Sequence, residues 1–212
     1  MLSNKQITIL GCFLVQPYKE QRCSEVKHYT KGHSNSVVQA ALAAFVKENE
    51  VTKRLIGRTP VYKPDPANPL TLAYFQILLK ERLSKVVRLC LNTIIEELAD
   101  IPFTSVVIFG SYVISAHTEK SDLDIAVFVR TPEEKKECAS ALHSAENKCP
   151  LSLDAHVITQ AEMKEMLAAN YENLGKQIAV KHLAVHNPEL FYILLQDGIK
   201  HGFQIVYGES RK

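Results

Sequence analysis

At 212 residues, with 46% apolar and 23% charged residues, the chain has the make-up of a soluble globular protein with room for two small domains, which excludes disordered, fibrous and collagen-like classes. Its longest apolar stretches, such as Ala40 to Val46, fall short of the roughly 20 residues that a membrane span needs, and Met1 is followed by Leu2-Ser3-Asn4-Lys5-Gln6 rather than a secretory signal, so a cytoplasmic protein without membrane partners is expected. The net charge of +2 is unevenly divided: residues 1–64 hold ten Lys and Arg against four Asp and Glu, a net +6, and the remainder carries −4.

Ile7, Leu10, Gly11 and Leu14 recur at helical spacing ahead of Pro17, which predicts a first helix over residues 3–15 that stops before the proline. Lys19 to Tyr29 predicts a second. Ser34-Asn35-Ser36 offers N-caps for a third, with Val37, Val38, Ala41, Leu42, Phe45 and Val46 on its apolar face. Val51 to Leu55 and Pro60 to Lys63 then flank Ile56-Gly57-Arg58-Thr59, a two-stranded ribbon with a glycine near its turn. Three helices followed by a hairpin predict a winged helix-turn-helix over residues 1–64.

The segment Pro64-Asp65-Pro66-Ala67-Asn68-Pro69 interrupts regular structure, because each proline lacks an amide donor and restrains the residue before it. A boundary is expected there, with residues 65–69 as linker and 70–212 as the second domain. From Leu70 to Leu98 the apolar residues keep a helical period over some eight turns, which fits one long helix or two with a kink.

Beyond Pro102 the texture changes to an α/β module with a mixed sheet flanked by helices. Strands are predicted at Ser105–Phe109, Leu123–Val129 and Leu151–Thr159, and helices at Pro132–Ser144 and Gln160–Ala169. Gln177 to Val185 fits either strand or helix. Asn187-Pro188-Glu189 predicts a helix start by N-cap and N1 proline, and Phe203–Tyr207 predicts a closing strand. Cys12, Cys23, Cys90, Cys138 and Cys149 are odd in number and form no C-x-x-C pair, so neither a disulfide framework nor a zinc site is expected.

Two short motifs point to chemistry. Val106-Val107-Ile108-Phe109-Gly110-Ser111 reads as a strand running into Gly-Ser at the start of a helix, where backbone amides and a hydroxyl can hold phosphate oxygens. After ten intervening residues comes Asp122-Leu123-Asp124-Ile125, and strand alternation puts both carboxylates on one face. In Leu151-Ser152-Leu153-Asp154-Ala155-His156-Val157 the same alternation buries Leu151, Leu153, Ala155 and Val157 and turns Asp154 and His156 the other way. Three acids on neighbouring strands repel and resist desolvation unless a hard divalent cation neutralises them. Mg2+ or Mn2+, bound together with substrate phosphates, suits such a set.

A lone Gly-Ser or Asp-x-Asp more often marks a turn or a solvated strand end; spacing and strand context together favour a site. His117 and His156 lie near it, yet a single histidine is more often a hydrogen-bonding core or surface residue, and neither receives a catalytic assignment. Gly-Ser, ten residues, Asp-x-Asp and a later strand acid resemble the DNA polymerase β superfamily, in particular its minimal nucleotidyltransferases, over roughly residues 100–160. The resemblance implies that Gly110 and Ser111 bind nucleotide phosphates and that Asp122, Asp124 and Asp154 form a catalytic two-metal site. It implies in-line attack on the α-phosphorus of a nucleoside triphosphate, with ATP the expected donor, and release of pyrophosphate. The sequence departs from the family where Tyr112-Val113-Ile114-Ser115 follows Gly-Ser, because Ile114 occupies the position of the expected arginine.

Around the predicted winged helix, His33, Ser34, Asn35, Ser36 and Gln39 at the start of the third helix, with Lys53, Arg54 and Arg58 on the hairpin, are the candidates for contact with double-stranded DNA. Two alternatives to the enzyme follow. One is a DNA-binding regulator, acting as a homodimer, with a degenerate nucleotide-sensing module; the other, implied by the resemblance, is similar to the antitoxin members of that family, which modify and neutralise a partner toxin.

Overall fold

The computed structural model describes residues 2–118 and 120–207. The chain forms two compact units divided between Leu78 and Leu79. Among the described residues no helix is long and apolar enough to cross a membrane.

The first unit opens with α1 (Asn4–Leu10), where the Ser3 hydroxyl accepts from the Gln6 amide and the Gln6 side chain accepts from the Ser3 amide in a reciprocal cap. A 3-10 turn (Gly11–Phe13) ends it ahead of Pro17. The second helix, predicted from Lys19, begins later: Gln21–Arg22 is a strand, β1, and α2 spans only Cys23–Tyr29. The Gln21 side-chain amide donates to the Cys12 carbonyl, and the Arg22 amide donates to Glu25 at 2.6 Å, which sets the helix start at Cys23. Helix α3 (Asn35–Lys47) starts at Ser34, whose hydroxyl accepts from the Val37 amide.

Strands β2 (Val51–Ile56) and β3 (Thr59–Pro64) form a hairpin around Gly57, whose φ of +60° suits glycine. With β1 they make an antiparallel sheet of order β1-β3-β2. Ile9, Leu10, Phe13, Val26, Val38, Leu42, Phe45 and Val51 fill the core between helices and sheet, each contributing about 1.5–3 kcal/mol of hydrophobic transfer. The proline-rich segment folds back on this unit: the Asp65 amide donates to the Glu50 carbonyl and the Asn68 side chain to the Asn49 carbonyl. Pro69 then starts α4 (Pro69–Arg82), and the division between units falls inside that helix.

The long apolar stripe resolves into two helices. Helix α5 (Lys85–Glu97) is restarted by Ser84, whose hydroxyl accepts from the Val87 amide. The second unit is then built on β4 (Ser105–Ile108), β5 (Leu123–Val129), β6 (Leu153–Thr159) and β7 (Leu183–His186), interleaved with α6 (Pro132–Glu146), α7 (Gln160–Ala168), α8 (Leu174–Val180) and α9 (Pro188–Lys200). The sheet order is β6-β5-β4-β7; β5 and β6 are parallel and the other pairs antiparallel. The parallel pair is joined through α6, as a parallel connection requires. Helix α6 flanks the face of Leu153, Ala155 and Val157. Helix α9 covers the opposite face, with Phe191 against Phe128 at 5.1 Å between ring centres.

Three expectations near the C-terminus need correction. Gln177 to Val185 is neither all strand nor all helix but the end of α8 followed by β7. Asn187 does not cap α9 with its side chain: its φ is 42°, and its side-chain amide donates to the Thr104 carbonyl at 2.8 Å, tying α9 to the entry of β4 instead. Phe203–Tyr207 forms no strand, and the sheet of this unit is completed by β6, β5, β4 and β7 alone among the described residues. The last five residues of the predicted second domain, 208–212, lie outside the described residues.

Candidate active site

All four residues of β4 are buried, so this strand is fixed in the sheet, and its C-terminal end delivers Phe109 and Gly110 to the N-terminal ends of β5 and β6. The Phe109 amide extends the ladder by donating to the Asp124 carbonyl at 3.1 Å. The Gly-Ser that follows does not open a helix. It forms a single 3-10 turn, Gly110–Tyr112, that unwinds into a loop with Ser115 at φ 56°. The expected helix N-terminus is therefore absent, and the Ser111 amide lies close enough to the Asp124 carboxylate to favour its charged form.

Gly110 answers two constraints at once. Its φ is +68°, and a Cβ placed on it would lie 2.0 Å from Asp124 Oδ2 and 2.7 Å from Asp124 Cγ. The carboxylate occupies the space that any side chain here would need.

The register of the parallel pair places Asp124 directly beside Asp154 and Ala126 beside His156. Neighbouring strands lie about 4.8 Å apart, so two like charges stand side by side, an arrangement that weakens a sheet. Asp122, just ahead of β5, is exposed, whereas Asp124 is half-buried. Burial pushes the Asp124 carboxyl above the ordinary aspartate range. The Ser111 amide opposes this, Asp154 and Asp122 add to the rise, and His156 offsets part of it.

Asp154 differs from its expected setting. Its side chain is 54% exposed, Ala155 is exposed, and Leu151, Leu153 and Val157 are only half-buried. The reason is topological: β6 is the edge strand of the sheet, so alternation there does not produce full burial. The acid that carries the desolvation cost is Asp124.

His156, given no role by sequence, lies with its Nε2 3.2 Å from Asp154 Oδ1 and its ring 5.8 Å from that of Phe109. It is placed to orient Asp154, and its position two residues along the same strand face was the available signal. Arg82 was not visible locally: its guanidinium donates to the Val113 carbonyl at 2.6 Å and reaches the Ser115 hydroxyl at 3.4 Å, across 31 and 33 residues of chain. Ile114 between them is 53% exposed. The cation that braces this loop thus comes from the end of α4.

Among the described residues no three Asp, Glu, His or Cys side chains form a ready metal cage. A magnesium–nucleotide site does not require one, since Mg2+ is held through one or two carboxylates together with phosphates and water. The crowded hard-oxygen donors around Asp124 fit such an ion.

In the first unit Ser34 is committed to capping α3, and its hydroxyl lies 2.9 Å from that of Ser36. Asn35, Gln39, Lys53 and Arg58 are exposed. Arg54 is held by Glu20 in a two-pronged ion pair, a partner that the sequence pattern did not reveal.

Residues 91–193 match the family model described as the nucleotidyltransferase domain. The match spans Gly110, Ser111, Asp122, Asp124 and Asp154, and it supports nucleotidyl transfer as the general chemistry of this region. Neither the comparison with curated proteins nor that with solved structures found a match.

Proposed function

We propose that the second unit transfers a nucleotidyl group, AMP from ATP foremost, to a hydroxyl acceptor and releases pyrophosphate. The observation that carries this reading is the registered pair Asp124 and Asp154, with Gly110 leaving room for the Asp124 carboxylate. A like-charge pair that weakens the sheet is explained if phosphate chemistry needs it.

A divalent cation, Mg2+ or Mn2+, held by Asp122 and Asp124 would neutralise the crowded carboxylates and draw charge from the α-phosphorus. The Gly110–Ser111 turn, with no side chain at Gly110, lets phosphate oxygens approach the backbone closely. Asp154, oriented by His156, takes the proton of the acceptor hydroxyl. The acceptor oxygen bonds to the α-phosphorus, the bond from that phosphorus to the bridging oxygen breaks, and pyrophosphate leaves with the electron pair. Arg82 keeps the Val113–Ser115 loop in place beside the turn.

Calorimetric titration of Mg2+ with ATP into the wild type and the Asp122→Ala/Asp124→Ala variant tests this without a guess at the acceptor. Binding that needs the metal and is lost in the variant is expected. Equal binding by both proteins, or none by the wild type with any triphosphate, would reject it.

A second reading concerns the first unit, which we read as a winged helix-turn-helix that contacts double-stranded DNA. Its support is the net +6 charge of residues 1–64 together with the exposure of Lys53 and Arg58 on the β2–β3 hairpin. In that reading the chain acts as a regulator, binding two half-sites as a homodimer, and the uncharged Ile114 loop fits a nucleotide-sensing role for the second unit. A partner protein as acceptor, as in the antitoxin reading, is a further form of the same transfer chemistry.

A further inference from the structure

Between the Gly-Ser turn and β5 the chain carries two rings that neither the family motif nor the acids account for. Tyr112 and His117 are stacked, with ring centres 4.1 Å apart and planes 8° from parallel. Tyr112 is half-buried and His117 is exposed. The loop is tied in several places. The Tyr112 hydroxyl donates to the Ser121 carbonyl at 3.3 Å, the Ala116 amide to the Ser111 carbonyl at 3.0 Å, and the Thr118 amide to the Ser121 hydroxyl at 2.9 Å. Ser121 directly precedes Asp122. Tyr112 is raised above its ordinary range by burial first, then by Cys90, Asp122 and Asp124, which sets it within electrostatic reach of both acids.

The near-parallel stack lays the phenol ring over one face of the imidazole. An exposed imidazole gains little by burial, so an ordered ring at the surface invites a use. Tyr112 covers one face of the imidazole and exposure leaves the ring accessible to a ligand. A planar group laid on it would find a ring already ordered, and the entropy of fixing that side chain would not have to be supplied on binding. Stacking of a base on an aromatic ring uses the π-face and is tolerant of base identity.

We propose that His117, backed by Tyr112, is the platform on which the base of the nucleoside triphosphate stacks, at the edge of the acid site. This rests on the nucleotidyl-transfer reading and adds to it a base-binding residue. It implies acceptance of all four bases, with purines ahead of pyrimidines because they offer the larger face.

Calorimetry in the presence of Mg2+ with two probes, ATP and inorganic tripolyphosphate, separates base from phosphate recognition. The wild type is expected to bind both. His117→Ala should weaken ATP about tenfold, within the range for loss of one base stack, and leave tripolyphosphate unchanged, while His117→Phe should restore ATP. Unchanged ATP affinity in His117→Ala, or equal weakening of both probes, would overturn the platform and leave the nucleotidyl-transfer reading standing. A wild type that binds neither probe would remove that reading and the platform with it.

Discussion

Replacing Gly110 by alanine puts two separable strains into one position. A left-handed backbone costs an alanine about 1–2 kcal/mol, and the residue sits at φ +68°. The new Cβ would also lie 2.0 Å from Asp124 Oδ2, and such overpacking adds about 1–3 kcal/mol or displaces the carboxylate. Gly110→Ala should therefore lower stability by about 2–5 kcal/mol. The same substitution in an Asp124→Ala background should cost only the backbone part, about 1–2 kcal/mol. The difference between the two backgrounds is a coupling energy that a double-mutant cycle isolates. The chain has no tryptophan, so urea unfolding followed by far-UV circular dichroism is the suitable assay. Equal costs in both backgrounds would show that the Asp124 carboxylate does not occupy the space over Gly110, and the geometric basis of the site would fail.

Asp124→Asn should stabilise the metal-free protein at neutral pH. The folded carboxyl titrates above its unfolded value, so its charge opposes folding once pH rises through the folded pKa; the gain should vanish in acid, as urea melts across pH will read. Glu50 is 1% exposed, its Oε2 lacks a hydrogen-bond partner among the described residues, and burial raises its pKa. Glu50→Gln should likewise stabilise near neutrality and lose that advantage below the unfolded glutamate pKa. His182 is fully buried, with one ring nitrogen 2.8 Å from the Ile178 carbonyl, and burial lowers its pKa from 6.5 to about 4. Its unfolded form takes up a proton first, so stability should be intact above pH 6.5 and fall by about 3 kcal/mol as pH drops toward 4. A His182→Leu variant should show a flatter acid limb. For the first unit, removing Lys53 and Arg58 together should shallow the log–log salt dependence of DNA binding by about two, whereas Arg54→Ala, a residue already paired with Glu20, should change it little.

Local sequence was sufficient for what depends on neighbouring residues. The cap at Ser34, the glycine turn at Gly57, the proline start of α9 and the strand carrying Asp124 are all consequences of backbone preference and of periods of two or 3.6 residues. Where two periods fit equally, as at Gln177 to Val185, or where a strand pattern pairs with no partner, as at Phe203–Tyr207, sequence could not decide, because the deciding contacts are made by other segments.

The site follows the same division. The spacing of Gly110, Ser111, Asp122, Asp124 and Asp154 is a property of the chain. That Asp124 faces Asp154 rather than slipping by one residue, that its carboxylate fills the space over Gly110, and that Arg82 braces the loop around Ile114 are properties of the packed sheet. So is the exposure of Asp154, since nothing in an alternating run distinguishes an edge strand from a central one. Register, edge position and contacts across 30 residues or more arise only when distant segments are packed together, which is why they were decided by the tertiary structure and not by the pattern along the chain.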